Sequence, residues 1–406
     1  MNIMNKTTTD SFADILFQME WESDHALHRD CYRGQKVNLW RDCFPESMYR
    51  EIIGQPVGAR IELDFEPGRA LPRYQPEKVF NIKAGQFDRG FHPEITVHPR
   101  EGRFYPKGIL RGVDHVFRNN IAPFRCGRIH DGQIEVDFNH PMAGREVRLC
   151  AEIKNIREKF SDTGGSCTDW MEAVAEGPGM QVRWRERPTG FFSDQPFVRE
   201  DETSDSRFYR EPRLVNHIDD TAIGVLSSLY GEVLTPESEV LDLMSSWTSH
   251  LPDDLSLQRV TGLGLNGPEL AQNRRLSEYT VHDLNENPVL PYEDRRFDAV
   301  VCSMSVEYLT RPFEVFQEVR RVLKPGGVFA VTFSNRWFPP KVIRIWKETH
   351  EFERIGLVME YFLKSGGFTD LNTYSMRGLA RPEHDKYYWE IAYSDPIYGV
   401  WARKPG

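Results

Sequence analysis

The 406-residue sequence has no apolar run of the ~18 residues that a membrane-spanning helix requires, which excludes a helical membrane protein. Its opening stretch, MNIMNKTTTDSFADILFQMEW, lacks the apolar core of a secretion signal, so a cytoplasmic location is expected. Cysteine is sparse. Cys31, Cys43, Cys126, Cys150, Cys167 and Cys302 stand apart with no short paired spacing, a pattern that predicts reduced thiols and argues against a disulfide framework or a zinc ribbon. Positive charge is in deficit: 51 Lys and Arg against 61 Asp and Glu give a formal net charge of −10, and the basic runs are short, which disfavours nucleic acid as a partner because phosphate binding needs a concentrated basic surface. No internal repeat is visible.

Hydrophobic residues make up 39% and charged residues 28%, the proportions of an ordinary folded protein, and the length predicts two or three domains. Residues 31 to 160 read as β-rich: KVNLW, ARIELDF, GQIEVDF and REVRLCAEIKNI are short alternating or β-branched runs separated by Gly, Pro and Asp. Residues 161 to 207, rich in Gly, Pro, Ser and charge, read as a partly ordered connector. From 208 the rhythm changes to helix, strand, strand, helix, strand, helix, strand, which predicts a parallel sheet with helices on both faces. In such a sheet a ligand binds beyond the carboxyl ends of the strands, where strand order reverses.

The segment LPYEDRRFDAVVCSMSVEYLTRPFEVFQEVRRVLKPGGVFAVTFSN, residues 290 to 335, resembles class I S-adenosylmethionine-dependent methyltransferases of the type 11 kind, through FD-x-V and E-x-x-RVLKPGG at matching spacing. The resemblance implies an α/β Rossmann-like methyltransferase domain over 208–406, with S-adenosylmethionine as cofactor. In that family the first strand ends in a glycine-rich turn. Here VLDLMSSWTSHLP keeps Asp242 but carries Met244, Ser246 and Thr248 where glycines are expected, and a turn without positive φ angles, supported by the Ser245 and Ser246 hydroxyls and filled by Trp247, is the expected substitute. Gly264 stands where the family has its ribose-binding acid, with Asn266 two residues on. Asp283 and Leu284 occupy the adenine-side position, and Ser303 and Ser305 close the fourth strand. The resemblance further places Tyr209 and Arg213 on a lid segment, with Arg213 available to pair the methionine carboxylate. In-line methyl transfer depends mainly on alignment and exclusion of water. Where a base is needed, Glu307 and His250 are the candidates.

The N-terminal segment DFNHPMAGREVRLCAEIKNIRE, residues 137 to 158, resembles the end of FKBP-type prolyl isomerases of the SlyD kind, with Asn139, His140, Ala143 and Gly144 matching. Over 1–160 this implies a β-rich α+β FKBP-like domain with an inserted segment at about 75–136. The aromatic residues of that family's pocket have no counterpart here. A scaffold or substrate-presenting module without appreciable prolyl isomerase activity is therefore expected, contacting peptide or covering the methyl-transfer site by folding back across the connector. The methyl acceptor is unspecified. His25, His28 and Cys31 have a spacing that would align them along a helix, yet a complete structural zinc site takes four ligands, and no metal is expected. The alternative is a non-catalytic binding or chaperone protein built from degenerate methyltransferase and isomerase domains.

Overall fold

The computed structural model describes residues 5–93, 95–161 and 165–406. Alternation of inward apolar and outward polar side chains makes β1 (Ser11–Glu22) a half-buried strand: Ala13, Ile15, Phe17, Met19 and Trp21 all enter the core. It forms a long antiparallel hairpin with β2 (Leu27–Asn38). The helix anticipated at 25–31 is thus a turn and a strand. After α1 (Glu46–Ile52) and β3 (Arg60–Phe65), the chain leaves to build a separate antiparallel sheet from β4 (Val79–Lys83), β5 (Phe104–Pro106), β6 (Pro123–His130) and β7 (Gln133–Asp137). It returns in β8 (Val147–Glu158), which lies between β1 and β3. The neck of this insertion is tied by Asn139, whose Oδ1 accepts from the Gln75 amide at 2.9 Å while its Nδ2 donates to the Gln75 carbonyl at 3.0 Å.

The second half contains α2 (Trp170–Ala175), α3 (Asp205–Phe208), α4 (Asp220–Val233), β9 (Glu239–Leu243), β10 (Arg259–Gly264), α5 (Gly267–Gln272) and β11 (Glu278–Val281). It continues with β12 (Phe297–Ser303), α6 (Pro312–Val322), β13 (Leu323–Phe333), α7 (Arg344–Lys347), α8 (Glu351–Ser365), β14 (Thr369–Arg377) and β15 (Ile397–Arg403). Strands β11, β10, β9, β12 and β13 are parallel, and β15 runs antiparallel between β13 and β14. Among the described residues this sheet does not stop at β14. It continues through β2, β1 and β8 to β3, so one sheet of eleven strands crosses both halves.

The join is the parallel pairing of β14 with β2, from Asn372 opposite Leu27 to Arg377 opposite Tyr32. Its polar groups are matched. Asp30 is fully buried and accepts from Ser375 Oγ at 2.6 Å and Trp21 Nε1 at 2.8 Å. His28 Nδ1 meets Thr373 Oγ1 at 2.7 Å, its ring stacks on Trp21, and His25 Nε2 lies 3.2 Å from Arg183. These histidines therefore have separate structural partners; no cluster of three metal-ligating side chains occurs among the described residues. None of the described helices is long and apolar enough to cross a membrane.

The segment read as a partly ordered connector is densely packed where it is described; residues 162–164 lie outside the description. Trp170 stacks on Phe17 at 5.8 Å, and Met180, Val182, Trp184 and Phe191 are buried. Two ion pairs bind this segment and the inserted sheet to α8, the one between Arg103 and Glu353 being buried. Arg183 grips Glu360 through two bonds of 2.6 and 2.9 Å, and Glu353 Oε1 accepts from Arg103 Nε at 2.7 Å and the Phe104 amide at 2.9 Å. A buried charge is tolerated only while it is paired, and removing one partner of such a pair typically costs about 3–5 kcal/mol. Glu353→Ala should lower the unfolding free energy of the full chain by that amount in urea, whereas Glu46→Ala, which breaks the exposed Arg50–Glu46 pair, should change it little. Equal, small effects of the two substitutions would contradict the locking role of Glu353.

Candidate functional site

Strand order reverses at β9, which has β10 on one side and β12 on the other. At their carboxyl ends lies a cavity of about 150 Å³, walled by the loops after β9, β10, β11 and β12, by residues from Asp205 to Ile218, and by Phe338. Among the described residues none before Asp205 lines it, and 205–218 forms the wall on that side. Every expected site residue lies on this cavity except Glu307.

The turn after β9 differs from the expected one. Met244 has φ +58°, so a left-handed residue is retained at a position occupied by a side chain rather than a glycine. That conformation costs roughly 1–2 kcal/mol for a non-glycine residue. Several hydrogen bonds, each contributing about 1 kcal/mol, offset it. The Ser245 amide donates to the Leu263 carbonyl at 2.7 Å; Ser245 Oγ and Ser249 Oγ donate to Asp242 Oδ2 at 2.5 and 2.6 Å. Asn273 Nδ2 then donates to the Ser246 carbonyl and Ser249 Oγ, both at 2.9 Å. Burial raises the Asp242 pKa to about 6 against the pull of these hydroxyls, so at neutral pH the carboxylate is charged and accepts both.

This packing also accounts for Gly264. A Cβ added there would meet the Ser245 carbonyl oxygen at 2.1 Å, so no acid fits at the end of β10 while the turn holds its course. A carboxylate reaches the cavity from α5 instead. Glu269 Oε2 accepts from Ser246 Oγ at 2.6 Å and Oε1 from the Arg213 amide at 2.7 Å. Sequence reasoning passed over Glu269. The available signal, Asn266 followed three residues later by Glu, reads as a helix start, and Asn266 Oδ1 does cap α5 by accepting from the Glu269 amide at 3.0 Å.

Segment 205–218 is fastened to this framework at three places. Asn266 Nδ2 donates to the Tyr209 carbonyl at 2.8 Å, Trp247 Nε1 donates to the Val215 carbonyl at 3.1 Å, and Glu269 holds Arg213. The Arg213 guanidinium lies 4.9 Å from the Phe208 ring and 5.0 Å from Phe338, another residue that sequence reasoning did not single out. Two buried polar atoms on cavity residues have no hydrogen-bond partner: Asp283 Oδ2 and Tyr209 Oη. The other Asp283 oxygen accepts from the Asn285 amide at 2.9 Å. Leu284 turns into the core, and Ser303 Oγ is engaged by Tyr230 Oη at 2.6 Å. Ser305 Oγ donates to the Ser303 carbonyl at 2.9 Å.

The two candidate bases separate. His250 lines the cavity, and burial lowers its pKa to about 4, leaving a neutral imidazole at physiological pH. Glu307 lies behind the cavity wall, 1% exposed, with Oε2 unpartnered. Burial raises its pKa to about 8, only partly opposed by Arg354 of α8. The expected catalytic assignment of Glu307 is corrected accordingly: it is a neutral interior acid below that pH.

Residues 245–331 match the family model of a methyltransferase domain, and S-adenosylmethionine is the cofactor that goes with it. The chain is 27% identical over 153 residues to the methyltransferase phqN of Penicillium fellutanum, covering 34% of this chain and 46% of that protein. It is 32% identical over 57 residues to a malonyl-[acyl-carrier protein] O-methyltransferase of a Marinomonas species, covering 14% of this chain and 21% of that one. The chain thus spans less than half the length of either curated relative. Among solved structures, an S-adenosylmethionine dependent methyltransferase from Mesorhizobium loti is 16% identical, covers 43% of this chain and 96% of its own, and superposes with a TM-score of 0.29.

The buried acid gives a pH signature. Because the folded pKa of Glu307 lies above the ordinary carboxylate value of about 4.3, its favourable contribution is complete below that value and is lost as pH rises through about 8. Glu307→Gln keeps a neutral group of similar shape. The thermal midpoint of the wild type should therefore fall relative to Glu307→Gln between pH 5 and pH 9, by several degrees at the upper end. Parallel midpoints across that range would contradict the buried, neutral state.

Proposed function

We propose that the chain transfers a methyl group from S-adenosylmethionine to a small-molecule or peptide acceptor. The observation that carries the proposal is the pair of unpartnered buried atoms, Asp283 Oδ2 and Tyr209 Oη, on a cavity at the reversal point of a parallel sheet. Asp283 offers an acceptor for the amino group of adenine. Arg213 offers a cation for the methionine carboxylate. Glu269 offers an acid to the ribose hydroxyls from a position that Gly264 leaves vacant, already oriented by Ser246 and the Arg213 amide. Asp242 acts through the turn, whose backbone it holds with two serine hydroxyls.

The cofactor supplies an electrophilic methyl group on a sulfonium centre. The protein's part is to align the acceptor, keep water out under 205–218 and Phe338, and take a proton where the acceptor loses one. His250 is placed for that last role, since it lines the cavity as a neutral imidazole, a weak base because burial lowers its pKa to about 4. Residues 1–160 serve in this reading as an FKBP-like, SlyD-like module without isomerase chemistry; the inserted sheet between β3 and β8 and the Asn139-tied neck support it. A second reading, a non-catalytic binding protein, is favoured by the nearness of the Ser245 carbonyl to the place where a ribose acid would begin.

Calorimetry of the full chain with S-adenosylmethionine and S-adenosylhomocysteine tests the proposal. Both should bind, and Asp283→Ala should weaken them by about 1–3 kcal/mol through loss of a buried acceptor. Absence of binding, or affinity indifferent to Asp283, would overturn the cofactor assignment.

A further inference from the structure

Two of the six cysteines face each other although 124 positions separate them. Cys43 Sγ and Cys167 Sγ lie 3.5 Å apart, both exposed, whereas Cys31, Cys126, Cys150 and Cys302 are buried. The backbone on both sides is already fixed. The Cys43 amide donates to the Thr168 carbonyl at 2.8 Å, and the Trp170 amide donates to the Cys43 carbonyl at 3.2 Å. Asp42 reinforces the alignment: its Oδ1 accepts from the Thr168 amide at 3.2 Å and its Oδ2 from Trp170 Nε1 at 2.8 Å. Cys167 Sγ is also 3.1 Å from the Arg41 carbonyl oxygen. A sulfur–sulfur bond of about 2.05 Å thus requires side-chain rotation and a small approach, with the two strands of backbone already in place.

We propose that Cys43 and Cys167 form a reversible disulfide by exchange with a low-molecular-weight disulfide. In the first step a thiolate of the pair attacks one sulfur of the small disulfide, forming a mixed disulfide and releasing one small thiol. In the second, the neighbouring cysteine's thiolate attacks the protein sulfur of that mixed disulfide, closing the Cys43–Cys167 bond and releasing the second small thiol. Two protein thiols lose two electrons and two protons, and one disulfide is reduced to two thiols. Exposure gives the oxidant access to this pair, whereas Cys31, Cys126, Cys150 and Cys302 are buried.

The bond would clamp the chain just after β2 to the approach to α2. That helix seats Trp170 against Phe17 and carries Glu172, which lines a larger cavity of about 1220 Å³ together with His140 of the N-terminal half and His350 and Glu353 at the start of α8. Oxidation therefore fixes one wall of the space between the N-terminal half and α8. It acts far along the sheet from the cavity at β9, so its effects are separable from cofactor binding.

The experiment uses the full chain equilibrated in buffers of oxidised and reduced glutathione, quenched with acid, alkylated, digested and read by mass spectrometry. A peptide pair joined through Cys43 and Cys167 should accumulate as the oxidised fraction rises and disappear on reduction. Under native conditions two thiols should react rapidly with a thiol reagent before oxidation and none after it. Cys43→Ser and Cys167→Ser should each stop at a glutathione adduct on the remaining cysteine, and the oxidised wild type should melt several degrees above the reduced form, a shift absent from the double serine variant. Thiols that stay free in oxidised glutathione, a bond to any other cysteine, or a bond between two chains would overturn the proposal.

Discussion

The parallel pairing of β14 with β2 is the constraint on which the rest of the molecule depends. Without it the chain would present two open sheet edges, each a row of unpaired backbone groups. With it, a methyltransferase-like sheet and an antiparallel N-terminal sheet become one surface, and the buried contacts of Asp30 with Ser375 and of His28 with Thr373 fix its register. A one-residue slip would turn those polar groups toward apolar neighbours. The ion pairs of Glu353 and Glu360 then hold α8 between the halves, so the helix that packs the back of the parallel sheet belongs to both. The join also leaves the carboxyl ends of β9 and β10 free, because it lies on the other side of β12, β13 and β15.

At that free end, the missing glycines and the missing acid have one cause. The turn after β9 keeps a left-handed residue as Met244 and is stitched by Asp242, Ser245, Ser249 and Asn273; the Ser245 carbonyl then passes close over Gly264. The steric need for glycine has moved from the turn to the neighbouring strand. An acid returns on α5 as Glu269 and fastens the turn to the segment that covers the cavity. These features are mutually dependent.

Much of this was legible in the sequence where local pattern decides structure. The runs at 239–243, 259–264, 297–303 and 327–333 are strands as their apolar, β-branched composition indicates, and the site residues group because strand ends converge in any such sheet. What could not be read depends on distant partners. His25, His28 and Cys31 suggested a helix because nothing nearby announces that His28 and Cys31 will lie in a strand paired with β14, with His25 in the turn before it. Glu307 suggested a base because its sequence position adjoins the cavity, whereas the turn at 306–308 sends its carboxyl into the interior. Residues 161–207 suggested a partly ordered connector because Gly, Pro, Ser and charged residues are frequent there, while among the described residues a few large side chains, Trp170, Trp184 and Phe191, do the packing. The Cys43–Cys167 encounter has no local signature at all.

Both halves share one sheet, and the cavity at the reversal point is the place for the cofactor. Differential scanning calorimetry of the full chain, with and without S-adenosylhomocysteine, tests both parts together. A single cooperative transition should move upward as a whole, by the equivalent of about 2.7 kcal/mol at a hundredfold excess over the dissociation constant. Two separate transitions of which only one responds to the ligand would contradict the single unit, and a transition that does not move would contradict the cofactor site.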